Sequence, residues 1–171
     1  MIHTPEAKLH PAGLWTPPVS YRPIDWLRYI LAGERGATGT ALSDFLENKL
    51  LDHVLGATSY TAPGTIYTAL FTAAPSDTGG GTEVTGGSYA RVGKTNNGTN
   101  FPAASGGSKS NGTDIDFGTA TANWGTVTHV GIFDAASAGN LLFWGALTTT
   151  RTVNTNDSFK FLATKLVFAL D

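Results

Sequence analysis

The sequence is short, weakly charged and free of cysteine. Its 171 residues suit one domain with a short appendage. The absence of cysteine excludes disulfide bonds and thiolate metal sites. Eleven Lys and Arg residues oppose 13 Asp and Glu residues, which leaves a net charge of −2 and no basic stripe of the kind that nucleic-acid-binding proteins carry. We therefore expect no nucleic-acid partner, and no apolar run approaches the roughly 20 residues that span a bilayer.

Residues 1–40 differ in composition from the rest. Five of the eight prolines fall within the first 23 positions, and proline favours extended backbone because it fixes φ and lacks an N–H donor. The stretch is richer in large apolar residues than a free disordered tail, and residues 24–32 (IDWLRYILA) fit a short helix. We predict an extended arm that docks on a neighbouring subunit, or alternatively wraps its own domain, and whose candidate contact residues are Leu14, Trp15, Tyr21, Trp26, Tyr29 and Ile30.

An amphipathic helix is predicted directly after the arm. Thr40 is a candidate N-cap, and Gly56 stands where a glycine commonly ends a helix. Asp44 and Glu47 near the start suit the positive end of the helix dipole. The apolar residues recur at helical spacing and form a face that has to be buried, either on the β-structure or in an oligomer. They are Leu42, Phe45, Leu46, Leu50, Leu51, Val54 and Leu55.

The chain from about Pro63 onward is predicted to be β-structure. Short runs rich in β-branched and aromatic residues alternate with turns rich in Gly, Asn and Ser, and no βαβ alternation is present. The predicted fold is mainly β: an antiparallel β-sandwich of jelly-roll type in a domain over residues 41–171, preceded by the arm at 1–40. The predicted strands are 65–72, 88–92, 114–117, 126–133, 141–147, 158–161 and 165–170, while 76–87 and 93–113 are predicted to be loops, the second long and exposed.

Residue types that perform catalysis or bind metals are present but scattered. The four histidines form no i, i+4 pair, and His129 in a predicted strand is expected to be structural. Asp114 and Asp116 share one face of a strand, but they lack the further ligands or partner acid that a metal or acid–base site needs. The glycines at 79–81 do not belong to a phosphate loop. We expect no catalytic residues, no cofactor and no metal.

Two smaller features concern the surface. Trp124 and Trp144 are candidates to flank a sugar-binding surface, although most aromatic residues of the strands are expected in the core. The segments 97–99 and 111–113 match the glycosylation acceptor pattern, but we interpret both as Asn-Gly turns.

Residues 41–171 resemble a family of tailed-bacteriophage structural proteins that are usually labelled tail fibre proteins. The segments that carry the resemblance are ALSDFLENKLLDHVLG (41–56), SYTAPGTIYTALFTAAPSDTGGGTEVTGGSYARV (59–92), ATANWGTVTHVGIFDAASAGNLLFWGAL (120–147) and TVNTNDSFKF (152–161). The resemblance implies a virion component without enzymatic activity, assembled in the bacterial cytoplasm.

Three functions remain open at this point. The favoured one is a tail fibre or fibre-anchoring subunit, expected to be a homo-oligomer, with a trimer favoured, that docks on other virion proteins through residues 1–40. The alternatives are a capsid cement or decoration protein and a module that binds a host-surface glycan through Trp124 and Trp144.

Overall fold

The computed structural model describes residues 41–170. The predicted arm at 1–40, its short helix and its six candidate contact residues lie outside this range. One helix, one large antiparallel sheet and two small ladders make up the described part of the chain. The elements are β1 (Ala41–Leu42), α1 (Asp44–Leu55), β2 (Thr65–Ala73), β3 (Thr82–Glu83), β4 (Val92–Thr95), β5 (Ser108–Ser110), β6 (Ile115–Thr119), β7 (Gly125–Phe133), β8 (Leu141–Val153), β9 (Ser158–Phe161) and β10 (Val167–Ala169).

The large sheet is built on β2, β7 and β8, which carry long runs of β-branched and aromatic residues. The strand order is β1-β8-β7-β2-β3, and β4 pairs with the other half of β2 on the same edge as β3. The small ladders pair β6 with β9 and β5 with β10. The prediction of a mainly β, antiparallel fold is confirmed. The three sheets do not close on one another, so a sandwich of jelly-roll type stays a prediction.

The main hydrophobic core lies on one face of the large sheet. Strand alternation directs Leu70, Val130 and Ile132 to this face. There they share one buried cluster with Leu46 of α1 and Phe117 of β6. The helix and the β6–β9 ladder are therefore held on the sheet by apolar burial, which contributes roughly 25 cal/mol for each Å² of apolar surface.

A smaller apolar cluster occupies the opposite face of the sheet. Phe71 and Phe133 stack there with their ring centroids 6.2 Å apart. Gly131 lies opposite Ala69 and Trp144 on the neighbouring strands. A Cβ atom at Gly131 would come 2.7 Å from the Phe71 ring, so only glycine leaves room for that ring.

The start of α1 corrects one prediction. Ser43, and not Thr40, is the N-cap: its Oγ accepts from the backbone N–H of Leu46 at 3.3 Å and donates to the carbonyl of Leu141. Ala41 and Leu42 pair with β8, so the chain just before Ser43 is held extended and the helix cannot start earlier. The predicted end is confirmed, since α1 stops at Leu55 and the Gly56 N–H donates to the Asp52 carbonyl.

One strand prediction and one loop prediction were wrong. Residues 88–92 are not a strand, because Ser88 has φ of 64° and the chain turns there before β4 begins at Val92. Residues 93–113 are not one long exposed loop, since they contain most of β4 and all of β5 and bury Phe101 and Asn111. Both strands are polar and exist through pairing with β2 and β10, which local periodicity does not reveal.

Candidate functional site

Trp124 lies in the main core. Its side chain is 5% exposed, and its ring packs edge-on against Tyr89 with centroids 5.6 Å apart. The indole N–H donates to the Gly87 carbonyl at 2.9 Å. The ring is packed in the core and the indole N–H is hydrogen-bonded there, so Trp124 presents no free ring face on which a sugar could stack.

Trp144 lies on the opposite face of the sheet and is half-buried. Its indole N–H donates to Oδ1 of Asp77 at 3.2 Å, and its ring is 6.3 Å from that of His129. His129 in turn is hydrogen-bonded through Nδ1 to Thr128 Oγ1 at 2.8 Å. The structure therefore does not bring the two tryptophans together into one surface, because they belong to separate clusters.

Arg91 is the centre of a partly buried polar cluster that the sequence did not reveal. Its guanidinium donates two hydrogen bonds to the Glu83 carboxylate, at 2.9 and 2.7 Å, and further ones to the carbonyls of Ala135 and Ala138. The guanidinium carbon also lies 3.5 Å from the centroid of the Phe133 ring. These contacts tie β3 to the turn between β7 and β8, which gives Arg91 a positioning role within the fold.

Tyr89 extends this cluster into the core. Its hydroxyl donates to Glu83 Oε1 at 3.0 Å and accepts from the Leu70 N–H at 2.9 Å. Burial above all raises the pKa of Tyr89 well beyond its ordinary value, and the nearby Glu83 carboxylate adds to the shift. The phenol therefore stays protonated and acts as a fixed hydrogen-bonding group.

Asp114 and Asp116 do not converge on a common point. The Asp116 carboxylate forms an ion pair with Lys160 Nζ at 2.7 Å and accepts from the Gly118 N–H. The hydrogen bond from Lys160 is the main reason that the pKa of Asp116 is lowered. Asp114 instead accepts from the Ala163 N–H at 2.9 Å. Within residues 41–170 no group of His, Asp and Glu residues is close enough to hold a metal ion.

The two candidate glycosylation segments differ in structure. Asn97 Oδ1 accepts from the N–H groups of Thr99 and Asn100, which confirms the predicted turn. Asn111 is almost fully buried, and its side chain bonds to backbone groups of Thr113, Leu162 and Leu166. Asn111 therefore connects the start of β6 to the chain that leads into β10.

The apolar face of α1 is only partly covered by the described residues. Leu46 packs in the main core, whereas Leu51, Val54 and Leu55 are 56%, 74% and 80% exposed. Leu46 and Leu50 also line an apolar groove of about 360 Å³ beside β10. Exposed apolar side chains close together on one helix are typical of a protein–protein contact.

The comparison with family models gives a match over most of the chain. The model for the Podophage GP4 fiber I protein gp80 matches residues 41–169. The chain belongs to this family. The comparison with curated proteins gives no match.

The match runs from β1 to the end of β10 and therefore includes α1 and every described strand. The tail fibre resemblance predicted for residues 41–171 is confirmed. A phage fibre protein is a structural component of the virion and associates there with other virion proteins. Within the described part of the fibre protein, no helix is long and apolar enough to cross a membrane.

Proposed function

We propose that this fibre protein is a non-enzymatic subunit of the tail fibre, or of the structure that anchors it, and that residues 1–40 dock it on another virion protein. The family match over residues 41–169 carries the proposal. The contacts of the ionisable groups support it, because Glu83, Arg91 and Asp116 are paired with one another or with Lys160. Such pairs stabilise the fold, so these four groups are not poised to act as a nucleophile or a base.

Deletion of residues 1–40 tests the docking role. The β-structure and α1 have their core within residues 41–170, so the shortened chain should keep its circular dichroism spectrum. It should be missing from purified virions when it replaces the full chain during infection. The full chain with Trp144→Ala is the control and should be incorporated normally, and normal incorporation of the shortened chain would contradict the proposal.

The exposed face of α1 supports a homo-oligomer, for which a trimer is favoured. Symmetry repeats each contact, so a few apolar side chains from every copy suffice to hold a closed assembly. Leu51, Val54 and Leu55 are the side chains available for such a contact. The double variant Val54→Ser/Leu55→Ser should shift the mass measured by light scattering toward the monomer, while Thr148→Ser/Thr149→Ser should not. An unchanged mass for both variants would contradict this role of α1.

The copy number in an intact virion map distinguishes the fibre from a capsid decoration protein. Decoration of the capsid lattice would require hundreds of copies, whereas a tail component is present in a few dozen or fewer. Glycan contact through Trp124 and Trp144 is the weaker proposal, because only Trp144 keeps part of its ring exposed. Loss of binding on a glycan array after Trp144→Ala would support it.

A further inference from the structure

A cleft of about 490 Å³ lies between the C-terminal half of β8 and the chain from β9 to β10. It opens on the same side of the large sheet as the main core, since Val130 and Phe159 form part of its floor. Trp144 lies on the opposite face of the sheet. The volume suits a small organic ligand, because ligand pockets commonly measure roughly 300–1,000 Å³.

The wall of this cleft is formed by an irregularity in the pairing of β7 with β8. Val127 pairs with Arg151 and His129 pairs with Ala146, so Thr128 alone stands opposite residues 147–150. The three extra residues of β8 therefore leave the regular ladder and line the cleft. Bulges are common next to binding sites because they redirect side chains that a regular strand would alternate.

The cleft is lined by cations and by no acidic side chain. Arg151, Lys160 and Lys165 line it, although Asp and Glu outnumber Lys and Arg in the whole chain by 13 to 11. Lys160 is paired with Asp116. Arg151 and Lys165 have no ion-pair partner among residues 41–170, so both are available to an anion. A guanidinium binds a carboxylate or phosphate through two parallel hydrogen bonds, and an ammonium adds a compact positive charge.

Three threonine hydroxyls also line the cleft. Thr148, Thr149 and Thr150 are exposed, and their side chains make no hydrogen bond to another described residue. A hydroxyl both donates and accepts, which suits the hydroxyls of a sugar. Leu147 and Phe161 supply the apolar surface against which the C–H face of a sugar ring can pack. A bare inorganic anion can contact the cations and accept from the hydroxyls, but it has no ring to cover this apolar surface.

We propose that this cleft binds a saccharide unit that carries a carboxylate or a phosphate. Arg151 and Lys165 hold the anionic group, and Thr148, Thr149 and Thr150 bond to the sugar hydroxyls. Binding of such a ligand is a role additional to virion assembly, and it does not depend on where in the virion the subunit lies.

The test is an NMR titration of the full-length, ¹⁵N-labelled chain with D-glucuronate and with D-glucose 6-phosphate. Both should shift the backbone signals of Leu147 to Arg151 and of Lys165. D-glucose and inorganic phosphate should bind at least about ten-fold more weakly, because each lacks one of the two sets of contacts. No shift of these signals with either anionic sugar would overturn the proposal. Equal binding of inorganic phosphate would identify a site for an anion alone and would also overturn it.

Variants with matched charge identify the residues. Arg151→Gln/Lys165→Gln should weaken binding of D-glucuronate about ten-fold or more, because two charge-assisted contacts are lost. Lys49→Gln/Lys94→Gln changes the net charge equally at residues outside the cleft and should leave the affinity unchanged. An equal loss in the control pair would show an effect of overall charge and would refute the site. If the double variant loses its folded spectrum, Arg151→Gln and Lys165→Gln are judged singly by the same criterion.

Discussion

Two polar regions of this protein have similar compositions and opposite uses. Residues 96–113 and residues 147–151 are both rich in small polar side chains. In the first region Asn111 is buried, and its side chain makes three hydrogen bonds to the backbone. In the second region the side chains of Thr148 to Thr150 are exposed and have no bond to another described residue.

The same contrast separates two arginines. Arg91 is buried among Glu83, two carbonyl groups and an aromatic ring. Arg151 is exposed and has no ion-pair partner among residues 41–170. Composition alone therefore does not tell which polar groups stabilise the fold and which are available to a ligand. The number of hydrogen-bond and ion-pair partners that each group has inside the protein distinguishes the two.

The largest difference is expected between the two arginines. Arg91→Gln leaves the Glu83 carboxylate partly buried without its cation, which should lower the free energy of unfolding by about 3 kcal/mol. Arg151→Gln removes an exposed group and should change the free energy of unfolding by less than about 0.5 kcal/mol. Urea unfolding followed by fluorescence measures both. Similar losses for the two variants would remove the distinction between the regions.

Asn111→Ala should have the next largest effect. It leaves the N–H of Leu166 and the carbonyls of Thr113 and Leu162 without their side-chain partner, which we expect to cost about 2 kcal/mol of stability. Asn97→Ala changes the same residue type in an exposed turn, where water can replace the lost hydrogen bonds. It should lower the free energy of unfolding by less than about 1 kcal/mol. If the two changes are equally destabilising by thermal unfolding, burial of Asn111 has no special importance.

Thr68 is a buried polar residue whose hydroxyl, unlike the side chain of Asn111, is not hydrogen-bonded within residues 41–170. Its hydroxyl is buried and has no hydrogen-bond partner among the described residues. Thr68→Val replaces the hydroxyl by a methyl group of similar volume and should stabilise the protein by about 1 kcal/mol. Thr72→Val on the same strand removes a hydroxyl that donates to the Thr82 carbonyl, so it should show no such gain. A lower midpoint for Thr68→Val in urea would show that this hydroxyl does have a partner.

The smallest effect is expected from the ion pair of Asp116 and Lys160. Lys160 lowers the pKa of Asp116 in the folded protein, so the carboxylate binds its proton more weakly there than in the unfolded chain. The resulting stability is present above the unfolded pKa of about 4 and is lost as the pH falls through the folded pKa. Asp116→Asn should therefore be slightly less stable than the wild type at neutral pH and equally stable in strong acid. A difference that persists in acid would assign the effect to the Gly118 hydrogen bond instead.

Elements with a strong local pattern could be predicted from the sequence. The strands predicted at 65–72, 126–133 and 158–161 and the helix up to Leu55 are confirmed. Their side chains repeat with the period of the element, so each segment has one face to bury whatever its neighbours are. The resemblance to the fibre family likewise lies in several long segments of the sequence.

Features that depend on a second segment could not be predicted. The N-cap is Ser43 and not the predicted Thr40, because β1 pairs with β8. Trp124 lies in the core because Tyr89, distant in sequence, packs edge-on against its ring. The irregular pairing that forms the cleft requires both β7 and β8, and the run of threonines gives no sign of it.

Local patterns in the sequence establish the class of this protein: a mainly β chain with an amphipathic helix, no cysteine chemistry and membership of a phage fibre family. These properties follow from composition and from periods within single segments, which each segment carries alone. Contacts between distant segments establish which polar groups are hydrogen-bonded within the fold and which line an open cleft. That outcome depends on the partners that distant segments supply, because a polar side chain is bound or free according to what packs beside it.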